Sequence, residues 1–167
     1  MTLELVILRH GEAGRRSTSV GNDRGRGLTA SGREKMEDMA NSVKRLKLTI
    51  DKIATSPLAR ARETSEIVAK VLKKQGDLEV WDELKPEAAT ADLYRRLSKL
   101  KRESSILLVG HEPYLTGMIN ELISGGKKSR ILLKKGGMAK VTIDSLEPKP
   151  SGELRWLLTP RQIKRMS

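Results

Sequence analysis

Cysteine and phenylalanine are both absent from the 167 residues, and the other aromatics amount to two Trp and two Tyr. Without cysteine there is no disulfide, no thiol nucleophile and no thiolate metal site, which fits a reducing compartment. So few aromatics leave little to build the stacking platforms that hold single-stranded nucleic acid. No apolar run approaches membrane-spanning length. Glu4 interrupts the first one, so no basic region followed by an apolar signal core is present; a cytoplasmic protein with no membrane partner is expected. What is abundant is positive charge: 33 Lys and Arg against 21 Asp and Glu, a formal net charge of +12. Such an excess favours acidic partners, whether nucleic acid, phosphorylated proteins or polyanionic metabolites, although the scarcity of aromatics argues against nucleic acid. At this length a single domain is expected over residues 1–159, followed by a frayed basic tail over 160–167.

Leu5-Val6-Ile7-Leu8 is a short aliphatic run that reads as a buried strand, and it ends abruptly in Arg9-His10-Gly11-Glu12. Residues 14–27 follow as a polar loop carrying four Gly and four Arg, either a solvated mobile loop or a basic lid over Arg9-His10. Ser17 and Ser19 in it are candidate phosphate ligands, and Arg15, Arg16, Arg24 and Arg26 a source of general positive potential. Thr29 or Ser31 is the expected cap of a helix whose apolar face is Met36, Met39, Ala40, Val43 and Leu46. Lys52 to Thr55 reads as a second strand. Ser56-Pro57 then opens a second helix with Pro57 in its first turn, and Gly76 stops it. A third strand is expected over Leu78 to Trp81 and a helix over about Ala91 to Lys101. Ser105 to Val109 repeats the opening pattern and ends in Gly110-His111-Glu112-Pro113. A helix with Leu115, Ile119, Leu122 and Ile123 inward follows. Next comes a hairpin with Gly136-Gly137 between Ile131 to Leu133 and Met138 to Ile143, and finally a strand over Leu154 to Leu158.

The alternation of strands and helices with a β-rich end predicts a three-layer α/β/α sandwich. Its central sheet is mostly parallel and carries a C-terminal β-hairpin. In such a sheet, chemistry gathers past the carboxyl ends of the strands. Both histidines of the chain stand there. They could serve as metal ligands, but no third ligand at convincing spacing accompanies them, and Arg9 beside His10 repels a cation. They suit an anion better. Arg60 lies in the first turn of the second helix, where backbone amides face outward, although taken alone it and Arg62 read as ordinary exposed residues of that helix.

R-H-G-E after the first strand, S-P-L-x-R-A-x-x-T over Ser56 to Thr64, and G-H-x-P at Gly110 to Pro113 together resemble the histidine phosphatase superfamily, the phosphoglycerate mutase-like group. The resemblance runs from Leu5 to about Leu122. Within the group, D-x-x-R-x-L-T-x-x-G from Asp23 to Gly32 and V-G-H-E-P-Y-L from Val109 to Leu115 resemble the SixA-type phosphohistidine phosphatases. The resemblance implies the phosphoglycerate mutase-like fold. It further implies that His10 is the nucleophile and carries the phosphoryl group, that Arg9 and Arg60 clamp the phosphoryl oxygens, and that His111 hydrogen-bonds another oxygen and adds positive charge when protonated. Elementary chemistry agrees with those roles. Phosphoryl transfer needs in-line positioning and compensation of charge on three oxygens, which an always-protonated planar guanidinium supplies. The nucleophilic imidazole must be neutral at its attacking nitrogen, with the other nitrogen donating to a carbonyl. No metal or other cofactor is expected.

The proton donor is less well marked. Glu83, in Trp81-Asp82-Glu83-Leu84, stands near the place where many superfamily members supply an acid. A missing acid suits a phosphoramidate, whose leaving imidazole takes up a proton readily, better than an alkoxide ester. The leading expectation is therefore a phosphatase with a phosphohistidine intermediate that dephosphorylates phosphohistidine in proteins. One alternative is a small-molecule phosphomonoesterase using Glu83 as acid. Another is a non-catalytic basic module that binds nucleic acid or phosphorylated partners.

Overall fold

The computed structural model describes residues 2–15, 23–100, 105–127 and 130–167. Among them, six strands form one sheet in the order β3-β2-β4-β1-β5-β6. β1 (Leu3–Arg9), β2 (Lys52–Thr55), β3 (Leu78–Val80) and β4 (Ser105–Gly110) run parallel, and β5 (Met138–Ser145) and β6 (Ser151–Leu158) are antiparallel. Strand β1, central in the sheet, pairs with β4 on one side and β5 on the other.

Side chains alternate across a strand, so a buried aliphatic strand feeds two cores. Leu5 and Ile7 of β1, with Ile106 and Leu108 of β4, face α3 (Thr90–Leu97) and α4 (Tyr114–Ser124). Val6 and Leu8, with Leu107 and Val109, face α1 (Ala30–Arg45), α2 (Ala59–Leu72) and α5 (Pro160–Met166). This is the three-layer α/β/α sandwich. None of its helices is long and apolar enough to cross a membrane, among the described residues.

Thr29 caps α1, its hydroxyl oxygen accepting from Gly32 N at 2.8 Å. At Gly32 a Cβ would stand 2.2 Å from the Glu12 carbonyl oxygen, so this helix start can lie against the segment after β1 only as glycine.

Several features differ from the sequence expectation, among them the start of β6 at Ser151 rather than Leu154. Helix α2 begins at Ala59, and Pro57 lies outside it, because the Ser56 hydroxyl takes the Leu58 amide and makes a turn between β2 and the helix. Its end is Lys73, held left-handed at φ 57°, and Gly76 falls in a short 3-10 turn, Gln75–Asp77, that leads into β3. Helix α3 stops at Leu97, where the chain tightens into turns with Lys99 N on Arg96 O and Leu100 N on Leu97 O. The hairpin is formed by β5 and β6, not by strands flanking Gly136-Gly137. Gly136, at φ 70°, instead donates its amide to the carbonyls of Arg9 and His10, at 3.0 and 3.2 Å, while Arg9 N donates to Gly137 O at 3.1 Å.

The basic tail is also ordered. Residues 160–166 are α5, started by a capping box between Thr159 and Gln162 and anchored by Ile163, which is buried in the second core.

Candidate active site

Three strand ends converge. Beyond the last residue of β1, His10 N donates to Gly110 O at 3.1 Å; beyond β2, Ser56 N donates to Val109 O at 3.0 Å. These bonds carry the strand directions one residue further, so His10, Ser56 and His111 stand side by side along the carboxyl edge. Arg60, one residue into α2, reaches the same place. Thr64, one turn later, receives the Gly11 amide on its hydroxyl at 3.1 Å and gives its own proton to Arg60 O at 2.7 Å, tying the Arg9-His10-Gly11 backbone to α2.

Arg9, His10, Arg60 and His111 line one cleft of about 270 Å³, with Asp23, Arg26, Glu112 and Lys135 in its walls. The two imidazole rings lie 5.1 Å apart, centroid to centroid. His10 Nδ1 is 2.7 Å from Gly11 O. A carbonyl can only accept, so Nδ1 carries the proton and Nε2 keeps its lone pair. Arg60 Nε donates to that Nε2 at 3.3 Å. The rest of the Arg60 guanidinium is held by Asp23, Nη1 on the backbone carbonyl at 2.9 Å and Nη2 on the carboxylate at 3.2 Å. Arg9 Nη1 donates to Leu133 O at 3.0 Å, and its buried Nε has no hydrogen-bond partner among the described residues.

Burial lowers the His10 pKa to about 4. The Gly11 carbonyl opposes this and the Arg60, Arg9 and Arg26 guanidiniums reinforce it. His111 falls to about 3, again chiefly by burial, with His10 and Arg60 adding to it. Both rings are thus neutral at pH 7, and the protonation under which His111 would add positive charge falls well below neutral pH. Around Asp23 partial burial works the other way, but Arg60 and Arg26 hold its carboxyl below the usual range.

Glu83 lies apart from this group. Its carboxylate receives Arg96 Nη1 at 3.0 and 3.2 Å, and its backbone carbonyl receives the Tyr114 hydroxyl at 2.7 Å. It faces a separate groove with Asp92, Arg95 and Arg96, because Arg96, stacked on Trp81, draws it there. Ser17, Ser19 and Arg16 lie outside the described residues. Of the other loop arginines, Arg26 makes specific contacts rather than a general field, with Nε on Asp23 Oδ1 at 3.1 Å and Nη1 on Gly14 O at 2.8 Å. Arg24 pairs with Glu87 at the surface, and Arg15 is exposed.

Five residues beyond the expected set shape the cleft. Asp23, Thr64, Ser56 and Glu112 each stand inside a quoted motif, at the Asp of D-x-x-R-x-L-T, the last Thr and the first Ser of S-P-L-x-R-A-x-x-T, and the residue after the histidine of G-H-x-P, so a signal existed for them. Lys135 had none.

Residues 5–87 match the model of the histidine phosphatase superfamily, branch 1. Over 164 residues, covering 97% of each chain, the protein is 29% identical to the phosphohistidine phosphatase SixA of Escherichia coli. It is 30% identical to an uncharacterized Picosynechococcus protein over 138 residues, 81% of this chain and 82% of that one. The chain belongs to the histidine phosphatase superfamily. A solved structure of the protein histidine phosphatase SixA complexed with tungstate superposes with a TM-score of 0.82 at 28% identity, over 95% of this chain and 98% of that one. An Entamoeba histolytica phosphoserine phosphatase shares the fold, with a TM-score of 0.70 at 15% identity. The protein is therefore a phosphatase of this superfamily, with its α/β fold, and takes a phosphorylated substrate.

Proposed function

We propose that the chain removes the phosphoryl group from phosphohistidine in proteins, by way of a covalent phosphohistidine on His10. The observation that carries this is the His10 ring: Nδ1 bound to Gly11 O at 2.7 Å, which leaves Nε2 unprotonated in the cleft, where it accepts from Arg60 Nε at 3.3 Å until the guanidinium turns to the phosphoryl oxygens. His10 Nε2 attacks phosphorus, the bond from phosphorus to the substrate imidazole breaks, and that imidazole takes up a proton. Water then attacks phospho-His10, releasing inorganic phosphate and restoring Nε2. Arg9, Arg60 and His111 act on the three equatorial oxygens, which assigns charge compensation to side chains and predicts activity that a chelator does not touch.

The protein substrate rests on two supports: similarity to SixA over nearly the whole chain, and the state of the carboxylates in the cleft. Asp23 is held by Arg60 and Arg26, and Glu112 accepts from the Thr116 amide and hydroxyl at 3.2 and 2.7 Å. Neither is set up as an acid for an alkoxide, and with Glu83 drawn away no carboxylate among the described residues favours the phosphomonoesterase reading. A phosphoramidate does not need such an acid. The catalytic domain we assign to residues 1–159, with α5 packed upon it, and the enzyme to the cytoplasm, in keeping with a chain free of cysteine.

The test is a rapid quench with a phosphohistidine peptide carrying labelled phosphate. Protein-bound label that is stable to base and lost in acid, and absent from His10→Ala, is expected. Turnover by His10→Ala at the wild-type rate would refute the scheme.

A further inference from the structure

We propose that Ser56 is a positioning residue: its hydroxyl holds His111 in the tautomer that carries its proton on Nδ1, so that this ring meets a phosphoryl oxygen as a neutral donor. The inference deepens the phosphatase reading and rests on it for its kinetic arm alone.

Ser56 is fully buried, and His111 is 2% exposed. Ser56 Oγ lies 2.7 Å from His111 Nε2 and accepts from the Leu58 amide at 3.3 Å. Those are its hydrogen bonds among the described residues. The Leu58 bond uses a lone pair, so the hydroxyl still has a proton to place, and His111 Nε2 is the acceptor within reach. If Nε2 were protonated instead, two groups would be left unmet in the interior, the Ser56 proton and a bare Nδ1. With the hydroxyl donating, a single group is left over, the Nδ1–H. A buried polar group without a partner is costly, so the arrangement with one is favoured.

The group left over is the informative one. His111 Nδ1 is buried and has no hydrogen-bond partner among the described residues. Yet the residue lines the cleft, its ring 5.1 Å from that of His10. With Nε2 occupied by Ser56, Nδ1 is the polar atom His111 has to offer an oxygen there. A free histidine side chain prefers its proton on Nε2, so the useful tautomer has to be imposed, and the Ser56 hydroxyl imposes it. The turn at Ser56-Pro57, which delays the start of α2, is what places that hydroxyl: Ser56 N is tied to Val109 O and Leu58 N is tied to Ser56 Oγ.

The experiment reads the tautomer directly. In ¹⁵N-labelled wild-type protein at neutral pH, two-bond ¹H–¹⁵N correlation of the ring is expected to show His111 Nδ1 as the protonated nitrogen and Nε2 as the unprotonated one. In Ser56→Ala the signal is expected to move toward the Nε2-protonated form, and turnover to fall about tenfold through the smaller competent population. Ser56→Thr, which keeps the hydroxyl, restores the wild-type tautomer and most of the rate. Nε2 protonated in the wild type, or an unchanged tautomer in Ser56→Ala, would overturn the proposal, and the wild-type spectrum decides even if the alanine variant does not fold. If the tautomer behaves as expected but no phosphoenzyme forms on His10, the phosphatase scheme has failed and the role of Ser56 in holding His111 stands.

Discussion

The two histidines occupy matching places, one at the end of β1 and the other at the end of the neighbouring β4, yet their rings are steered by different kinds of partner. His10 is aimed by a backbone carbonyl, Gly11 O, belonging to the very next residue. His111 is aimed by a side chain, the Ser56 hydroxyl, brought from a third strand end 55 positions away. The outcomes are opposite. His10 keeps an unprotonated Nε2, which accepts from Arg60 and suits nucleophilic attack, while His111 has an N–H to give and suits an oxygen that gains charge. A carbonyl partner survives every side-chain substitution, so the orientation of the nucleophile is robust, whereas that of the donor depends on a single residue.

Removing each ring separates them most sharply. His10→Ala should lower turnover by about 10⁴-fold or more and abolish the trapped phosphoenzyme. His111→Ala should cost about 10²- to 10³-fold and still form the phosphoenzyme, only slowly; single-turnover quench measures both. Equal losses with no label in either variant would erase the distinction. Arg60 touches the nucleophile's own Nε2, so Arg60→Ala should fall by a similar 10²- to 10³-fold, with Arg60→Lys recovering part because a point charge replaces a planar fork.

Acid probes both rings at once. Their pKa values, lowered to about 4 and about 3, lie below the 6.5 of an ordinary histidine. As pH falls below 6.5 the unfolded chain takes up protons on both residues that the folded chain refuses, so stability declines, the His10 share levelling off at about pH 4 and the His111 share at about pH 3. Thermal unfolding across that range should show the midpoint dropping, and His10→Ala should flatten part of the slope. Meanwhile kcat/KM, which reports the free enzyme, should hold its acid limb near pH 4 rather than 6.5. The smallest effect belongs to Glu83→Gln: within about twofold of wild type on a phosphohistidine peptide, since the carboxylate serves Arg96 and not the cleft. A loss comparable to that of His111→Ala would restore it as the acid.

What the sequence allowed to be read follows from where the information is stored. The four central groups each end a strand, follow directly on one or open a helix, and an aliphatic run such as Leu5 to Leu8 marks that position by local pattern alone. Partners distant in the chain left no such mark. Gly136-Gly137 carries the signal of a turn, but nothing in it says that the turn is filled by the carbonyls of Arg9 and His10. Glu83 stands in a plausible place until Arg96, thirteen residues later, is seen to take it. Pro57 obeys a helix-start preference that the Ser56 hydroxyl overrides. The end of the chain is legible in part: Thr159 and Gln162 have capping-box spacing, but three basic residues in the last eight give the segment a solvated pattern that outweighs Ile163.

The placement of β1 between β4 and β5 also bears on how the molecule comes into being. The strand that bears Arg9 is made before both of its neighbours in the sheet, which begin only at residue 105 and residue 138. Until the glycine pair before β5 has left the exit tunnel, the carbonyls of Arg9 and His10 have no amide to receive, and the nascent chain carries its nucleophile unassembled. Competence for phosphoryl transfer is thus withheld until Gly136 and Gly137, well over a hundred residues after the nucleophile, have been translated.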